Sequence, residues 1–274
     1  MPSYISETAS LFLFPVQQTQ SPDFYAFQVS PTGGGRTDCP DPLERSTSLR
    51  KTQLAAALSQ TILCDEPSFF SERRSLDALV DLVLPALIPT RRYTQSLRLW
   101  SVGYRAGQET HSLALTIAES CPQLSGWNVE LVASGADAAA LARAQCGVYS
   151  NREVERGLPT ELLRRYFEQV PTDGGWQFKN RATAPIVWLP IERLQSNTSI
   201  GIVDIAVCHR TLRDLDSNTR RDLLARLTSQ LASDGFLILP SSESGYGLEE
   251  AFERVSALQS VYRRVRREDS LLSA

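Results

Sequence analysis

Two glycines carry the first chemical signal. In "LRLWSVGYRAGQETHSLAL", residues 97–115, an apolar strand pattern runs into Gly103 and Gly107 and then into an apolar helix. Such a turn lets backbone N–H groups approach a nucleotide-like ligand, and the helix N-terminus behind it adds a favourable dipole. The same spacing also suits a plain strand–helix turn. The loop carries bulk and few carboxylates: Tyr104 and Arg105 stand inside it, and Gln108 precedes Glu109. His209 closes the apolar run "IVDIAVCH". It is a candidate base by type, and a strand-end histidine without a catalytic role is the simpler reading. Trp176, Phe178 and Trp188 cluster after Gly174–Gly175 in "GGWQFKNRATAPIVWLP". They form either a peptide-docking surface or the packing of a hairpin.

The bulk numbers narrow the classes of function. The chain has 274 residues, 42% hydrophobic and 22% charged, with a formal net charge of −3. That balance argues against a general nucleic-acid binder. No apolar run reaches the roughly 18–20 residues that cross a bilayer. The N-terminal "MPSYISETASLFLFPVQQ" lacks the basic start of a signal peptide. The five cysteines are scattered, none in CxxC spacing, and there are two histidines. This reads as reduced thiols in a cytoplasmic protein with no metal.

The elements that must position the turn follow from periodicity. Residues 1–45 are irregular, with a breaker cluster in "SPTGGGRTDCPDP". "STSLRKTQLAAALSQTILC" predicts a helix, and "SERRSLDALVDLVLPALI" predicts another. In the second, Ser75 is the expected N-cap and Leu76, Leu79, Val80, Val83 and Leu84 share one face. From residue 97 strands and helices alternate: "LRLWSV", "THSLALTIAESC", "WNVELVAS", "DAAALARAQC", then "IVDIAVC", "SNTRRDLLARLTSQLA" and "GFLILP". Alternation predicts an α/β fold with a parallel sheet covered on both faces, its ligand site outside the C-terminal ends of the strands. Between these runs, "LPTELLRRYFEQV" predicts a helix, and residues 174–190 predict an antiparallel hairpin.

The ordered motifs resemble those of the CheR chemoreceptor methyltransferases, from about residue 54 to 267. "DEPSFF" is similar to N-E-T-x-F-F, and the glycine stretch to L-R-I-W-S-A-G-C-S-T-G-E-E-P-Y-S-L-A-M. "LVASGADAAALARAQCGVYS" is similar to the A-T-D-I-D strand end with its helix and G-x-Y. "GLPTELLRRYF" follows G-L-P-x-x-L-x-x-R-Y-F, "VDIAVCHRTLRDLD" follows F-D-I-I-F-C-R-N-V-L-I-Y-F-D, and "SDGFLILPSSES" follows P-G-G-Y-L-F-L-G-x-S-E-S. The resemblance implies a Rossmann-like S-adenosylmethionine (SAM) methyltransferase domain over 93–274. It also implies an inserted antiparallel β-subdomain at about 157–190 and a short helical region at 46–92 before it. The activity implied is methyl transfer from SAM to receptor glutamates.

Carried over residue by residue, the cofactor positions are Gly103, Gly107, Glu109, Asp137 and Glu192. Gln108 replaces the first Glu of G-E-E. The first Asp of A-T-D-I-D becomes Gly135 and the second is Asp137, so the ribose carboxylate falls on one or the other. Glu192 stands at a family Asn. The catalytic end departs further: Ser71 stands at the Arg of F-F-R, with Arg73 and Arg74 nearby. His209, Arg210 and Asp214 stand at the Arg, Asn and Tyr of R-N-V-L-I-Y-F. A carboxylate acceptor is already ionised at neutral pH and needs no base. An Asp at the Tyr position repels an incoming glutamate. Substitutions gather at cofactor and substrate positions while "GLPTELLRRYF" and "VDIAVC" are kept. They predict a methyltransferase-fold protein of a chemosensory-type pathway with weak or absent SAM binding and weak or lost methyl transfer. It would act by binding a protein, a chemoreceptor or a signalling protein, through Trp176, Phe178 and Trp188. The alternative is an active, divergent protein-glutamate O-methyltransferase.

Overall fold

In a computed structural model the described residues are 67–135, 138–171, 174–179, 183–190, 200–209, 211–213, 215–240, 243, 248, 251–256 and 261–265. The segment 1–45, the helix expected before residue 66, and Asp137, Glu192, Arg210 and Asp214 lie outside them.

Seven strands form the main sheet, in the order β6-β2-β1-β7-β8-β10-β9. They are β1 (Ser96–Tyr104), β2 (Asn128–Gly135), β6 (Ile186–Pro190), β7 (Val203–Cys208), β8 (Leu231–Ile238), β9 (Phe252–Ser256) and β10 (Val261–Arg264). The first five named run parallel, and β10 is antiparallel to both β8 and β9. Side chains of a strand alternate between faces, so a central strand buried on both must be apolar at successive positions. β1 meets that demand. Leu97 and Leu99 enter one core layer with Leu131, Ile205 and Val207; Trp100 and Val102 enter the other with Ala206, Cys208 and Leu237.

Helices close both layers. One face takes α1 (Arg73–Ala78), α2 (Leu84–Arg91) and α3 (Gln108–Ser120), which supply Leu76, Leu84, Leu87, Leu113 and Ile117. The other takes α7 (Ser217–Gln230), which supplies Leu223, Leu224 and Leu227. Asp216 caps α7, its Oδ1 accepting from the N–H groups of Asn218 and Thr219. A π-helical turn, Leu79–Val83, joins α1 to α2. Its wider i→i+5 spacing suits the approach to Pro85, which has no N–H to donate and whose ring crowds the carbonyl four residues back. Ser75 is not the N-cap. Glu72 holds that position, and Ser75 is buried in the first turn with its Oγ donating to the Leu239 carbonyl.

A second sheet is separate: three antiparallel strands in the order β3-β5-β4, from Val148–Tyr149, Trp176–Phe178 and Phe167–Gln169. Helices α4 (Ala138–Cys146), α5 (Asn151–Glu155) and α6 (Thr160–Tyr166) flank these strands in sequence. Two expectations change here. The helix expected over "LPTELLRRYFEQV" ends at Tyr166, and its last residues become β4. The hairpin expected over 174–190 does not form. Trp176–Phe178 pairs within the small sheet, whereas Ile186–Pro190 pairs parallel to β2 as the edge of the main sheet. Both stretches are strand-like, but each finds a better partner than the other. Ile186 and Trp188 extend the apolar surface of β2, and Phe178 enters a cluster with Phe69, Tyr149 and Phe167.

Candidate functional site

The glycine turn lies where the topology puts a ligand site, at the C-terminal ends of β1 and β7. Gly103 has φ +87° and Gly107 has φ +97°, both in the left-handed region. Gly107 is the N-cap of α3 and offers no capping side chain. Close approach also requires both glycines. A Cβ at Gly103 would lie 1.9 Å from Thr211 Oγ1, and one at Gly107 would lie 2.9 Å from Tyr149 Oη. Their retention is therefore explained by packing as well as by ligand access.

Polar side chains with buried atoms line the start of α3 and the strand ends. Gln108 is fully buried; its Nε2 donates to Glu153 Oε1 at 3.4 Å, while its Oε1 has no hydrogen-bond partner among the described residues. Glu109 Oε2 is likewise sealed and unpartnered, and burial pushes its carboxyl up from the usual range, against a smaller opposing pull from Arg105. His209 ends β7. Its Nε2 lies 3.0 Å from Ser101 Oγ, which lies 2.8 Å from Thr110 Oγ1. Burial lowers His209 to about 4, so the ring is neutral at pH 7 and fixed by its neighbours.

His111 is the second histidine, and the sequence did not single it out. Its Nδ1 lies 2.7 Å from Tyr149 Oη, and Tyr149 donates onward to the Ala106 carbonyl at 3.0 Å. Since that hydroxyl gives its proton to Ala106, it accepts from Nδ1–H, which assigns the His111 tautomer. Burial lowers His111 to about 3 and raises the Tyr149 hydroxyl well above its ordinary range. The ring tilts onto Phe178 at 4.1 Å and meets Trp188 edge-on at 5.4 Å. The available signal was position: His111 sits in "QETHSLAL", inside the helix that the glycine turn caps.

The turn's bulk has a definite place. Tyr104 is 1% exposed. Its ring lies across the Cα of Gly135, where an ideal Cβ would come within 2.3 Å of Cε2 and Cζ. Its hydroxyl donates to the Leu189 carbonyl at 3.3 Å, and its ring stands edge-on to Trp188 at 5.0 Å. Tyr104 thus points towards β2 and β6, across the end of β2, and does not swing outward.

The other expected residues are dispersed. Ser71, Arg73 and Arg74 are exposed on the surface before and along α1. Phe178 is buried in the core between the small sheet and α3, so it offers no exposed docking face. Trp188 is partly buried against Tyr104 and His111, and Trp176 is partly buried with its Nε1 donating to Asn151 Oδ1 at 2.8 Å. Trp176 and Trp188 lie in different sheets and do not make one hairpin surface. Among the described residues no helix is long and apolar enough to cross a membrane, and no cluster of His, Cys, Asp and Glu could hold a metal ion.

Comparison with known proteins gives consistent results. The family model for the CheR methyltransferase SAM-binding domain matches residues 65–261. A chemotaxis protein methyltransferase of Vibrio parahaemolyticus is 29% identical over 208 residues, covering 75% of this chain and 74% of its own. Chemotaxis protein methyltransferase 1 of Pseudomonas aeruginosa is 29% identical over 206 residues, 74% of each chain. Among solved structures, the N-methyltransferase NodS from Bradyrhizobium japonicum, in complex with S-adenosyl-L-homocysteine, is similar with a TM-score of 0.44 at 16% identity. The match covers 78% of this chain and 99% of that one. With the family match covering well over half of the chain, including the glycine turn and the small antiparallel sheet, the chain belongs to the CheR methyltransferase family.

Proposed function

We propose that this protein is a chemosensory-type CheR-family member in which SAM binding and methyl transfer are weak or lost, and that it acts by binding a signalling protein or a chemoreceptor. The observation that carries this reading is the end of β2. A nucleoside held at a topological switch point needs a carboxylate there for its ribose hydroxyls. Gly135, the last residue of β2, supplies none, and the buried Tyr104 ring fills the space its side chain would occupy. The glycine turn fits a SAM methionine moiety; at the ribose end Gly135 offers no carboxylate. A lost hydrogen bond to a charged group weakens binding by about 1.5–3 kcal/mol, roughly ten- to a hundredfold.

The domain division into 46–92 and 93–274, with the insertion at about 157–190, belongs to the same proposal, as does a reducing, cytoplasmic setting. Cys121, Cys146 and Cys208 are free thiols, which supports that setting. Trp176 and the small antiparallel sheet are the proposed contact for the protein partner. The alternative, an active glutamate O-methyltransferase, is favoured by one feature: the two left-handed glycines and the uncapped α3 N-terminus are intact. Calorimetric titration with SAM and S-adenosylhomocysteine, paired with a methylation assay on a glutamate-bearing receptor peptide, separates the two. The proposed reading expects binding at least about tenfold weaker than low micromolar, or none, with little or no turnover. Low-micromolar binding with turnover overturns it.

A further inference from the structure

We infer that Tyr104 and Gly135 are a size-exchanged pair, and that Tyr104 is the residue that closes the nucleoside end of the site. The inference rests on the weak-cofactor reading above and supplies its cause. The two residues are register partners on adjacent parallel strands, opposed beside a register shift at Gly103. Gly135 is not in the left-handed region, unlike Gly103 and Gly107. Its backbone accepts an ordinary side chain, and what forbids one is the tyrosine ring at 2.3 Å. The ring is held by the Leu189 carbonyl and the Trp188 ring and packs in a cluster with the small residues Ala133 and Ala144. A large residue on β1 therefore takes the volume that a residue at the end of β2 would use. Neither change is tolerable alone in reverse: a side chain at 135 collides with Tyr104, and a small residue at 104 leaves a hole in a packed cluster.

The test is a double-mutant cycle on the full chain, with Tyr104→Ala, Gly135→Asp and the double variant. Thermal denaturation without ligand reads the pair itself. Gly135→Asp lowers Tm by about 5 °C or more in the presence of Tyr104, and by less than about half of that when Tyr104 is alanine. If Gly135→Asp does not fold, Gly135→Ala gives the same comparison with a smaller side chain. Calorimetric titration with S-adenosylhomocysteine reads the consequence. The double variant binds about a hundredfold more tightly than the wild type, and each single variant gains no more than a few-fold. Equal Tm losses in both backgrounds would refute the pair. A folded double variant that binds no better than wild type would refute Tyr104 as the closing residue. Low-micromolar binding by the wild type refutes the weak-cofactor reading instead; coupling in Tm still decides the pair, because that measurement involves no ligand.

Discussion

The two ends of the main sheet are built to opposite standards. At the N-terminal ends, every charge named has partners. Arg91 at the close of α2 reaches Asp204 Oδ1 at 2.7 Å and makes a two-pronged contact with Asp234 at 2.7 and 2.9 Å. The other Asp204 oxygen accepts from the Arg98 backbone N–H at 2.8 Å, and the Arg98 side chain pairs with Glu130. The Asp234 and Asp204 contacts raise Arg91 above its ordinary range. At the C-terminal ends, Gln108 Oε1, Glu109 Oε2, His111 Nε2 and His209 Nδ1 are buried without hydrogen-bond partners among the described residues. Buried polar groups are normally satisfied because desolvation is costly; these four exceptions gather at the C-terminal ends, against one, Gln230 Oε1, just before β8 at the other end. The N-terminal end ties strands together through charge pairs; the C-terminal end gathers buried polar atoms without partners among the described residues.

The largest effect that would sharpen this contrast lies in the turn. Gly103→Ala places a Cβ 1.9 Å from Thr211 Oγ1 at φ +87°, and is expected to cost about 3 kcal/mol or more in urea unfolding. Adding Thr211→Ala should recover part of the loss; no recovery would mean that backbone strain alone is responsible. At the opposite end, Arg91→Met leaves two carboxylates, 14% and 20% exposed, without their shared cation. A loss of about 2–3 kcal/mol is expected. A change under about 0.5 kcal/mol would reduce the network to an ordinary surface contact and break the comparison.

Acid should act through the C-terminal end. The unfolded chain protonates its histidines near pH 6.5, while burial withholds the proton from His209 until about 4 and from His111 until about 3. The unfolded state then binds more protons, so stability is fully present above about pH 6.5 and falls as pH drops towards 4. Each histidine contributes a loss of about 2 kcal/mol at pH 5. Unfolding of His209→Gln across pH 7 to 5 should have a visibly shallower slope than wild type; an unchanged slope would contradict a buried neutral ring. Glu109 has the opposite sign, since its raised carboxyl costs stability as pH rises through the folded-state value. The smallest effect follows: Glu109→Gln is expected to stabilise the protein at pH 7 by on the order of 1 kcal/mol. Destabilisation there would show that the carboxylate is paired after all.

The sequence by itself determined the parts governed by local rules. Alternating apolar strands and helices required a covered parallel sheet. Two glycines between "LRLWSV" and "THSLALTIAESC" pointed to a turn, which forms between β1 and α3 with Gly107 as the N-cap. The order of motifs was enough to suggest the family. Only tertiary structure decided which strands meet. A strand pattern has a period but names no partner, so Trp176–Phe178 and Ile186–Pro190 read as a hairpin yet join different sheets, each burying its aromatic residues against a surface supplied from elsewhere in the chain. The same limit hid the polar contact from His111 to Tyr149 and the packing of Tyr104 over Gly135. The resemblance to the family motifs implies a bulkier residue at 104 and a smaller one at 135. That the two changes share one volume depends on the parallel register of β1 with β2, which fixes distances between residues far apart in sequence.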